Sequence, residues 1–375
     1  MNVDLRAVLS GTGRTVNLKE LKNGCWHPDR TSEYMERFGE VKGCNYVPAC
    51  HYSSSQLFLD FDTKLYRREL GWARAVGFNS VRIVVPCFLY QLDRNRLFER
   101  FGSFLEICQE NRISVMARLD PSFLDPDNDT DAPEVQTEVQ IIFRAGVHKP
   151  EWIYPGVVAL PGCGLGHGLP KGLTEKWPCL EEICKDFVQT FLGRYSGEQR
   201  IIMWDLYNEA PAEGRPLVEK MFAWAREVNP TQPLTTCWQG EDLSDVISFH
   251  NYRMPGQPGA GPGGKPFDEE IASALEWKRP VVCTECLARS YGNKLEAFLP
   301  VFARNHIGWY VWGLCAGSGQ YHFPWGWPEG SPEPKEWFHC VLYPDGTAYR
   351  DNEVELIRSF RYEPRRSHRR EKAPL

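Results

Sequence analysis

Two glutamates each close an apolar, strand-like run, and together they could carry out acid–base and nucleophilic chemistry. Glu209 ends the run Ile201-Ile-Met-Trp-Asp-Leu-Tyr-Asn-Glu209, and Glu285 ends the run Pro280-Val-Val-Cys-Thr-Glu285. In a barrel of parallel strands, the carboxyl ends of the strands face the catalytic mouth. Two carboxylates facing each other there have the arrangement for glycosidic cleavage, in which one protonates the leaving oxygen and the other attacks the sugar carbon.

An arginine interrupts a third apolar run. Arg82 lies in Val81-Arg-Ile-Val-Val85, which is otherwise suited to a buried strand. A buried guanidinium needs a partner, and a nearby anion is the simplest one. That anion could belong to the pair of glutamates, or Arg82 could form a structural ion pair elsewhere in the fold.

The elements that must position these residues alternate along the chain. Short β-branched runs are followed by polar loops and then by amphipathic stretches, which favours parallel βα units. The predicted strands are Gly43–Ala49, Phe78–Pro86, Ile113–Leu119, Ile201–Leu206, Leu234–Trp238, Val246–Phe249, Pro280–Thr284 and Trp309–Leu314. The predicted helices are Asp60–Val76, Arg96–Asn111, Leu180–Tyr195, Pro216–Val228, Asp268–Lys278, Lys294–Asn305 and Asp351–Phe360. Eight such units predict an α/β fold, the (β/α)8 TIM barrel.

This pattern divides the chain into a barrel and its additions. We expect residues 1–42 to brace the bottom of the barrel, 43–362 to form the catalytic domain, and the basic tail 363–375 to be disordered. A long insertion, 120–178, follows the third strand on the side where loops build active sites, and it is expected to form a wall of the cleft. Gly240–Asp245 leaves room for no more than a turn of helix between the fifth and sixth strands.

The Asn208-Glu209 ending of the fourth strand and the Glu285 ending of the seventh resemble clan A of the glycoside hydrolases. Within that clan the chain is most similar to the cellulase-like family 5 group, over roughly Gly43 to Phe360. The resemblance implies that Glu209 is the acid/base and Glu285 the nucleophile of a retaining enzyme. It also implies that Arg82 contacts Glu285.

Further positions of the family pattern are expected to bind substrate. In Phe249-His-Asn-Tyr252, the resemblance places His250 at the sugar site and gives Tyr252 a hydrogen bond to the nucleophile. Asn208 would bond the sugar 2-hydroxyl, and Trp312 would form an aromatic platform under the sugar. The family often has a histidine near the end of the third strand, where this chain has Asp120, so Asp120 is expected to face the cleft in its place.

These assignments predict cleavage of O-glycosidic bonds, of β configuration, in oligo- or polysaccharides by double displacement. No metal and no organic cofactor is implied. A transglycosylase would use the same residues, and a non-catalytic carbohydrate-binding barrel would keep the aromatic residues but lose the chemistry. The sugar, the linkage and the oligomeric state are not readable from the sequence.

Composition bounds the class of protein. The chain has 375 residues, 42% of them hydrophobic, which is ample for a large core. Its formal net charge of −6 gives no reason to expect nucleic acid as a partner. No run reaches the ~20 apolar residues of a membrane span, and residues 1–20 lack the apolar core of a signal peptide. We therefore expect a cytoplasmic protein with reduced cysteines.

Some local motifs invite other readings. Cys283-Thr-Glu-Cys286 resembles a redox or zinc motif, but residues three apart on a strand point to opposite faces, so the thiols are expected to diverge. Gly162–Gly168 does not fit a nucleotide-binding loop, and Asp125–Asp131 lacks the glycine and glutamate of a calcium loop. Tyr321–Trp327, with four aromatics in seven residues, either packs over the barrel edge or supplies sugar platforms.

Overall fold

Eight parallel strands form the centre of the molecule. The structure is a computed structural model that describes residues 24–123, 140–142, 151–153, 177–253 and 266–364. The strands are β1 Lys42–Asn45, β2 Ser80–Pro86, β3 Ser114–Asp120, β4 Ile201–Asp205, β5 Leu234–Thr235, β6 Ile247–His250, β7 Val281–Cys286 and β8 Gly308–Trp312. Their order in the sheet is β5-β4-β3-β2-β1-β8-β7-β6. A single parallel bridge between Cys237 and Ser248 joins the two ends and closes the ring. The predicted (β/α)8 barrel is confirmed.

Helices connect the strands and cover the outside of the ring. They are α1 Pro28–Glu36, α2 Gln56–Leu59, α3 Thr63–Val76, α4 Cys87–Glu110, α5 Cys179–Arg194, α6 Arg215–Val228, α7 Phe267–Glu276, α8 Leu295–Asn305 and α9 Asp351–Ser359. The Asp62 side chain caps the start of α3, and Gly77, with φ 108°, ends it. Segment 240–245 forms only a turn, as its length predicts.

Apolar side chains fill both the inside of the barrel and the layer between strands and helices. Inside, Met116, Ile202, Val282 and Tyr310 belong to one buried cluster. Met35 of α1 packs against that cluster, and the Tyr34 hydroxyl donates to the carbonyl of Ile201 at 3.0 Å. Helix α1 thus lies across the amino-terminal end of the strands, opposite the end at which the polar residues gather.

Several predicted boundaries are wrong, and the reasons are local. Helix α4 begins at Cys87 and not at Arg96, with a kink at Asp93. The Asp93 side chain accepts a hydrogen bond from the Arg96 backbone N–H, so the sequence carries a second capping signal inside one helical segment. Strand β1 ends at Asn45 and β5 at Thr235, each several residues before the predicted end, because the apolar runs continue into loops above the barrel.

Parts of the predicted additions lie outside the described residues. These parts are residues 1–23, most of the 120–178 insertion with its Asp125–Asp131 and Gly162–Gly168 motifs, and residues 365–375. Within the insertion, Gln140–Ile142 and Glu151–Ile153 pair as a two-stranded antiparallel sheet. Among the helices that the structure describes, none is long and apolar enough to cross a membrane.

Candidate active site

Arg82 organises the carboxyl end of the barrel. Its five N–H groups are all used: two donate to Asp205 Oδ2 at 3.0 and 2.7 Å, and the others donate to Asn45 at 2.9 Å, Glu285 at 2.7 Å and Asn208 at 2.6 Å. The side chain of Arg82 is 1% exposed. A buried guanidinium with two carboxylates and two amide oxygens holds residues from β1, β4 and β7 in one fixed arrangement.

Glu285 is held as an anion from two sides. Arg82 donates to its Oε1, and the Tyr252 hydroxyl donates to its Oε2 at 2.5 Å. Burial alone would raise the pKa of Glu285, but the charges on His250 and Arg82, followed by the Tyr252 hydrogen bond, lower it to about 2. The contacts that the sequence predicted for Arg82 and Tyr252 are both present.

Glu209 lies in the loop after β4 and not on the strand itself. Its side chain is 16% exposed, and its Oε1 lies 2.7 Å from His250 Nδ1. His250 Nδ1 is also 3.4 Å from Glu285 Oε2, so this histidine bridges the two glutamates. Ligand atoms of Glu209, His250 and Glu285 all lie within 4.8 Å of one another. The two carboxylates therefore face the same small volume.

These three side chains could in principle surround a cation. However, both oxygens of Glu285 already accept hydrogen bonds, from Arg82 and from Tyr252. Metal coordination would compete with both donors, and the guanidinium would repel the ion. The arrangement suits hydrogen-bond and charge chemistry better than it suits metal binding.

The other predicted site residues lie around this volume. The Asn208 side-chain oxygen is bonded to Arg82, which orients its amide group. Asp120, the last residue of β3, is 4% exposed and accepts a hydrogen bond from Arg118 at 3.0 Å. Trp312, the last residue of β8, is partly buried, and Tyr321 packs against its ring edge-to-face with centroids 5.5 Å apart. All eight predicted residues thus lie at the carboxyl end of the barrel.

The sequence prediction missed some residues of the same network. Asn45 accepts from Arg82 and donates to the carbonyl oxygens of Thr284 and Val311, which ties β1 to β7 and β8. Asp205 provides the second carboxylate, beside that of Glu285, with which Arg82 forms an ion pair. A signal existed for Asp205, since it is a carboxylate inside the apolar run of β4, but nothing in the short β1 run distinguishes Asn45.

Two further aromatic residues border the site. The Trp238 ring lies 5.9 Å from His250, and its backbone has φ 63°. Trp325 is 43% exposed, and its ring meets Tyr252 edge-to-face at 5.0 Å. The Tyr321–Trp327 segment thus packs on the barrel edge through Tyr321 and also leaves one indole at the surface beside Tyr252.

The expectation that Cys283 and Cys286 diverge is wrong. Both side chains lie in the same core cluster between strands and helices, where the Cys283 thiol donates to the Glu285 carbonyl at 3.3 Å and the Cys286 thiol donates to the Tyr310 carbonyl at 3.4 Å. The register of β7 against β6 and β8 shifts between these residues, which inserts an extra residue and cancels the alternation. The same irregularity lets Glu285 point into the barrel.

Comparison with known proteins rests on structure. No family model matches the chain, and no curated protein matches its sequence. An exo-β-1,4-mannosidase from Opitutaceae bacterium strain TAV5 superposes with a TM-score of 0.55 at 17% identity, over 85% of this chain. A GH5_18 structure from Streptomyces cattleya, in complex with GlcNAc, gives 0.53 at 14% identity over 87% of this chain. An endo-β-1,4-mannanase from Thermotoga petrophila gives 0.52 at 16% identity over 87%.

The chain has the barrel fold of these glycoside hydrolases. The superposition covers 59% of the Opitutaceae mannosidase, 81% of the Streptomyces structure and 77% of the Thermotoga mannanase. At 14–17% identity the likeness establishes the fold that the sequence resemblance implied. The chemistry must be argued from the site itself.

Proposed function

We propose that the protein is a retaining glycosidase that cleaves β-glycosidic bonds by double displacement, with Glu285 as nucleophile and Glu209 as acid/base. The observation that carries the proposal is the unequal treatment of the two carboxylates. Arg82 and Tyr252 both bond Glu285, whereas Glu209 is bonded by His250 and is more exposed. Two carboxylates in different environments can take the two roles that the reaction requires.

Glu285 is suited to attack. Its two hydrogen-bond donors keep it ionised and fix its orientation, and its pKa lies far below neutral. An ionised, fixed carboxylate can add to the anomeric carbon and form a glycosyl-enzyme. When that ester is cleaved, Arg82 and Tyr252 again stabilise the departing carboxylate.

Glu209 is suited to proton transfer. In the first step it would donate a proton to the glycosidic oxygen, and in the second step it would take a proton from the attacking water. His250 fixes the carboxyl group by its contact with Oε1. The second carboxyl oxygen of Glu209 would then be the one that meets the leaving group.

The short distance between the carboxylates supports retention. Retaining enzymes hold the two carboxyl groups about 5–5.5 Å apart, whereas inverting enzymes hold them about 6.5–9.5 Å apart to admit a water. Atoms of Glu209 and Glu285 come within 4.8 Å here. We propose that Asn208, which like Glu285 is bonded to Arg82, bonds the sugar 2-hydroxyl, that Trp312 supports the ring and that Asp120 contacts the sugar.

Rescue by a small anion tests the roles. Glu285→Gly should abolish turnover of an activated aryl β-glycoside, and azide should restore it and give the α-glycosyl azide, of inverted configuration. Glu209→Gly keeps the nucleophile, so a substrate with a good leaving group should still form the glycosyl-enzyme. Azide should then intercept this intermediate and give the β-glycosyl azide, of retained configuration. Nuclear magnetic resonance determines the anomeric configuration of both azide products.

Exchanged stereochemistry in the two rescues would exchange the two roles. Full activity of both variants would refute a glycosidase at this site. Carbohydrate binding by the wild type without any turnover would favour a non-catalytic carbohydrate-binding barrel. The substrate should be sought among aryl β-glucosides, mannosides, xylosides, galactosides and arabinosides, together with polysaccharides. Product analysis with an oligosaccharide acceptor separates hydrolysis from transglycosylation. Turnover should be unchanged by a metal chelator, since no step uses a metal.

A further inference from the structure

Arg118 is a second arginine at the mouth of the barrel, and the sequence did not single it out. In β3 it follows Met116 by two residues, and Met116 packs inside the barrel. Alternate residues of a strand share a face, so Arg118 also points inward, one layer closer to the mouth. Its partners in register are Val84 of β2 and Asp205 of β4, which places it beside the Arg82 network.

The hydrogen bonds of Arg118 are incomplete. Its side chain is 7% exposed, and one bond, from Nη2 to Asp120 Oδ1 at 3.0 Å, joins it to another residue of the described chain. The Nε–H is buried without an acceptor in the part of the chain that the structure describes. Arg82, by contrast, uses every N–H. Buried unpaired donors are rare in folded proteins, and at a binding site they indicate a missing acceptor.

Arg118 lies close enough to act on the catalytic group. Its charge contributes to lowering the pKa of Glu285, after those of His250 and Arg82. Burial raises the pKa of Tyr321, and the charge of Arg118 opposes that rise. Since the Tyr321 ring contacts Trp312, Arg118 lies between the nucleophile and the side of the mouth that carries the predicted sugar platform.

The charges around this position favour a neutral acceptor. Two guanidinium groups, Arg82 and Arg118, are matched by three carboxylates, Asp205, Glu285 and Asp120. A sugar with its own carboxylate would add a further negative charge to a group that already has a negative excess. Arg118 therefore has an unpaired N–H donor, but its positive charge is already balanced by the neighbouring carboxylates. Asp120 accepts from Arg118 through Oδ1, so the pair offers a donor and an acceptor side by side.

We propose that Arg118 and Asp120 bind two neighbouring hydroxyl groups of the sugar that occupies the site next to Glu285, and thereby select a neutral sugar by the configuration of that diol. Arg118 donates to one hydroxyl oxygen, and Asp120 accepts from the adjacent hydroxyl. This assignment rests on the proposed glycosidase function and adds a specificity-determining residue to it.

Deoxygenated substrates test the pair directly. The wild-type protein and Arg118→Met are compared on the preferred aryl β-glycoside and on its 3-, 4- and 6-deoxy analogues. In the wild type, removal of a contacted hydroxyl should lower kcat/KM roughly 10- to 100-fold, as expected for a hydrogen bond to a charged group. In Arg118→Met, the ratio of kcat/KM between the parent substrate and the deoxy analogue should fall to near 1 for the hydroxyl that Arg118 contacts. The ratios for the other contacted hydroxyl groups should stay as in the wild type.

Two further variants guard against a purely structural effect. Arg118→Lys keeps the charge next to Asp120 but offers fewer and differently placed donors, so it should fold normally and still lose the penalty at one hydroxyl. Arg200 forms a similar pair with Glu198, two residues away and ahead of β4, at 2.6 Å. Arg200→Met should leave every penalty unchanged. Thermal unfolding of each variant confirms that it is folded.

The outcomes separate this inference from the proposed function. No turnover of any glycoside by the wild type would refute the proposed function, and this inference with it. Turnover with the same deoxy penalties in Arg118→Met and Arg118→Lys as in the wild type would overturn the role of Arg118 alone. An aryl β-glucuronide that is the best wild-type substrate and is lost selectively in Arg118→Met would show that the ligand is a carboxylate, which overturns the diol.

Discussion

Two buried arginines, Arg82 and Arg289, each use all five N–H groups, but their partners differ. Arg82 bonds side chains at the strand ends, including the carboxylates of Asp205 and Glu285. Arg289, in the loop after β7, bonds the single carboxylate of Glu353 in α9 and three backbone carbonyls in segment 337–340. Both guanidinium groups are about equally buried.

This difference shows that a buried arginine whose N–H groups all have acceptors is not necessarily part of a functional site. Arg289 bonds backbone that must be held in place, so it fastens the loop after β8 to the last helix. Arg82 bonds the side chains of Glu285 and Asn208 at the candidate active site, so it sets their charge and orientation. The two arginines are therefore distinguished by the groups that they bond. Arg289 has a structural role, whereas Arg82 acts on the side chains of the candidate active site.

The sharpest test replaces each arginine by lysine, which has three donors in place of five. Arg82→Lys should lower kcat/KM about a thousandfold, or roughly 4 kcal/mol, because Glu285 loses orientation and charge support. Arg289→Lys should lower the free energy of unfolding by roughly 3 kcal/mol and leave kcat/KM per folded molecule nearly unchanged. Steady-state kinetics and denaturant unfolding measure both. If the two substitutions lowered kcat/KM equally, the proposed distinction between a structural and a functional arginine would be refuted.

Glu69 sharpens the comparison because it is buried and, among the residues that the structure describes, no cation is in hydrogen-bonding contact with it. It accepts from the Tyr46 hydroxyl and the Ala49 N–H, both at 3.1 Å, and burial raises its pKa to about 7. In the unfolded chain the pKa is about 4.3, so between these values the folded protein binds the extra proton. Stability should therefore fall by roughly 3 kcal/mol as pH rises from about 4 to 8.

Glu69→Gln removes this titration and should flatten that part of the stability curve. The glutamine can accept from Ala49 and donate to Tyr46, so the geometry is preserved. Denaturant unfolding at several pH values makes the measurement, with the wild type as reference. If both proteins lost the same stability over this range, another group would be responsible.

The smallest expected effect concerns Tyr252. Tyr252→Phe removes a donor from Glu285 Oε2, which should raise the pKa of this proposed nucleophile and lower kcat/KM about 10- to 100-fold. Since Glu285 must be ionised, activity is lost as pH falls through its pKa, and the acid limb of the kcat/KM profile should move to higher pH. Tyr90 donates to Asp186 at 2.6 Å outside the barrel, so Tyr90→Phe is the matched control and should not move that limb.

The sequence was informative where polar residues interrupt apolar strands. Glu285 and Asp120 lie at the carboxyl ends of their strands, where the sequence predicted them, because the barrel topology fixes which end faces the mouth. The pairing of Arg82 with Glu285 came from the family resemblance, and the structure contains it. The roles of these residues stay predictions until the rescue experiments are made.

The sequence was uninformative where tertiary packing overrides the local pattern. The register shift of β7 depends on its two neighbours, β6 and β8, so no local signal showed that Cys283 and Cys286 would meet. Asn45 bonds β7 and β8 from the opposite end of the chain, a contact that only closure of the barrel creates. Arg118 was not singled out, although it interrupts the apolar run of β3 as Arg82 interrupts that of β2.

The backbone of Glu209 has φ 47°, the left-handed region in which a residue with a Cβ is strained by roughly 1 kcal/mol or more. A glycine at this position would relax that strain, so we expect Glu209→Gly to lose the proposed acid/base and to unfold at a higher temperature than the wild type. At Glu209, thermal stability and catalytic turnover are thus expected to favour different residues. A selection for thermal endurance alone would tend to remove the very group on which the proposed chemistry depends.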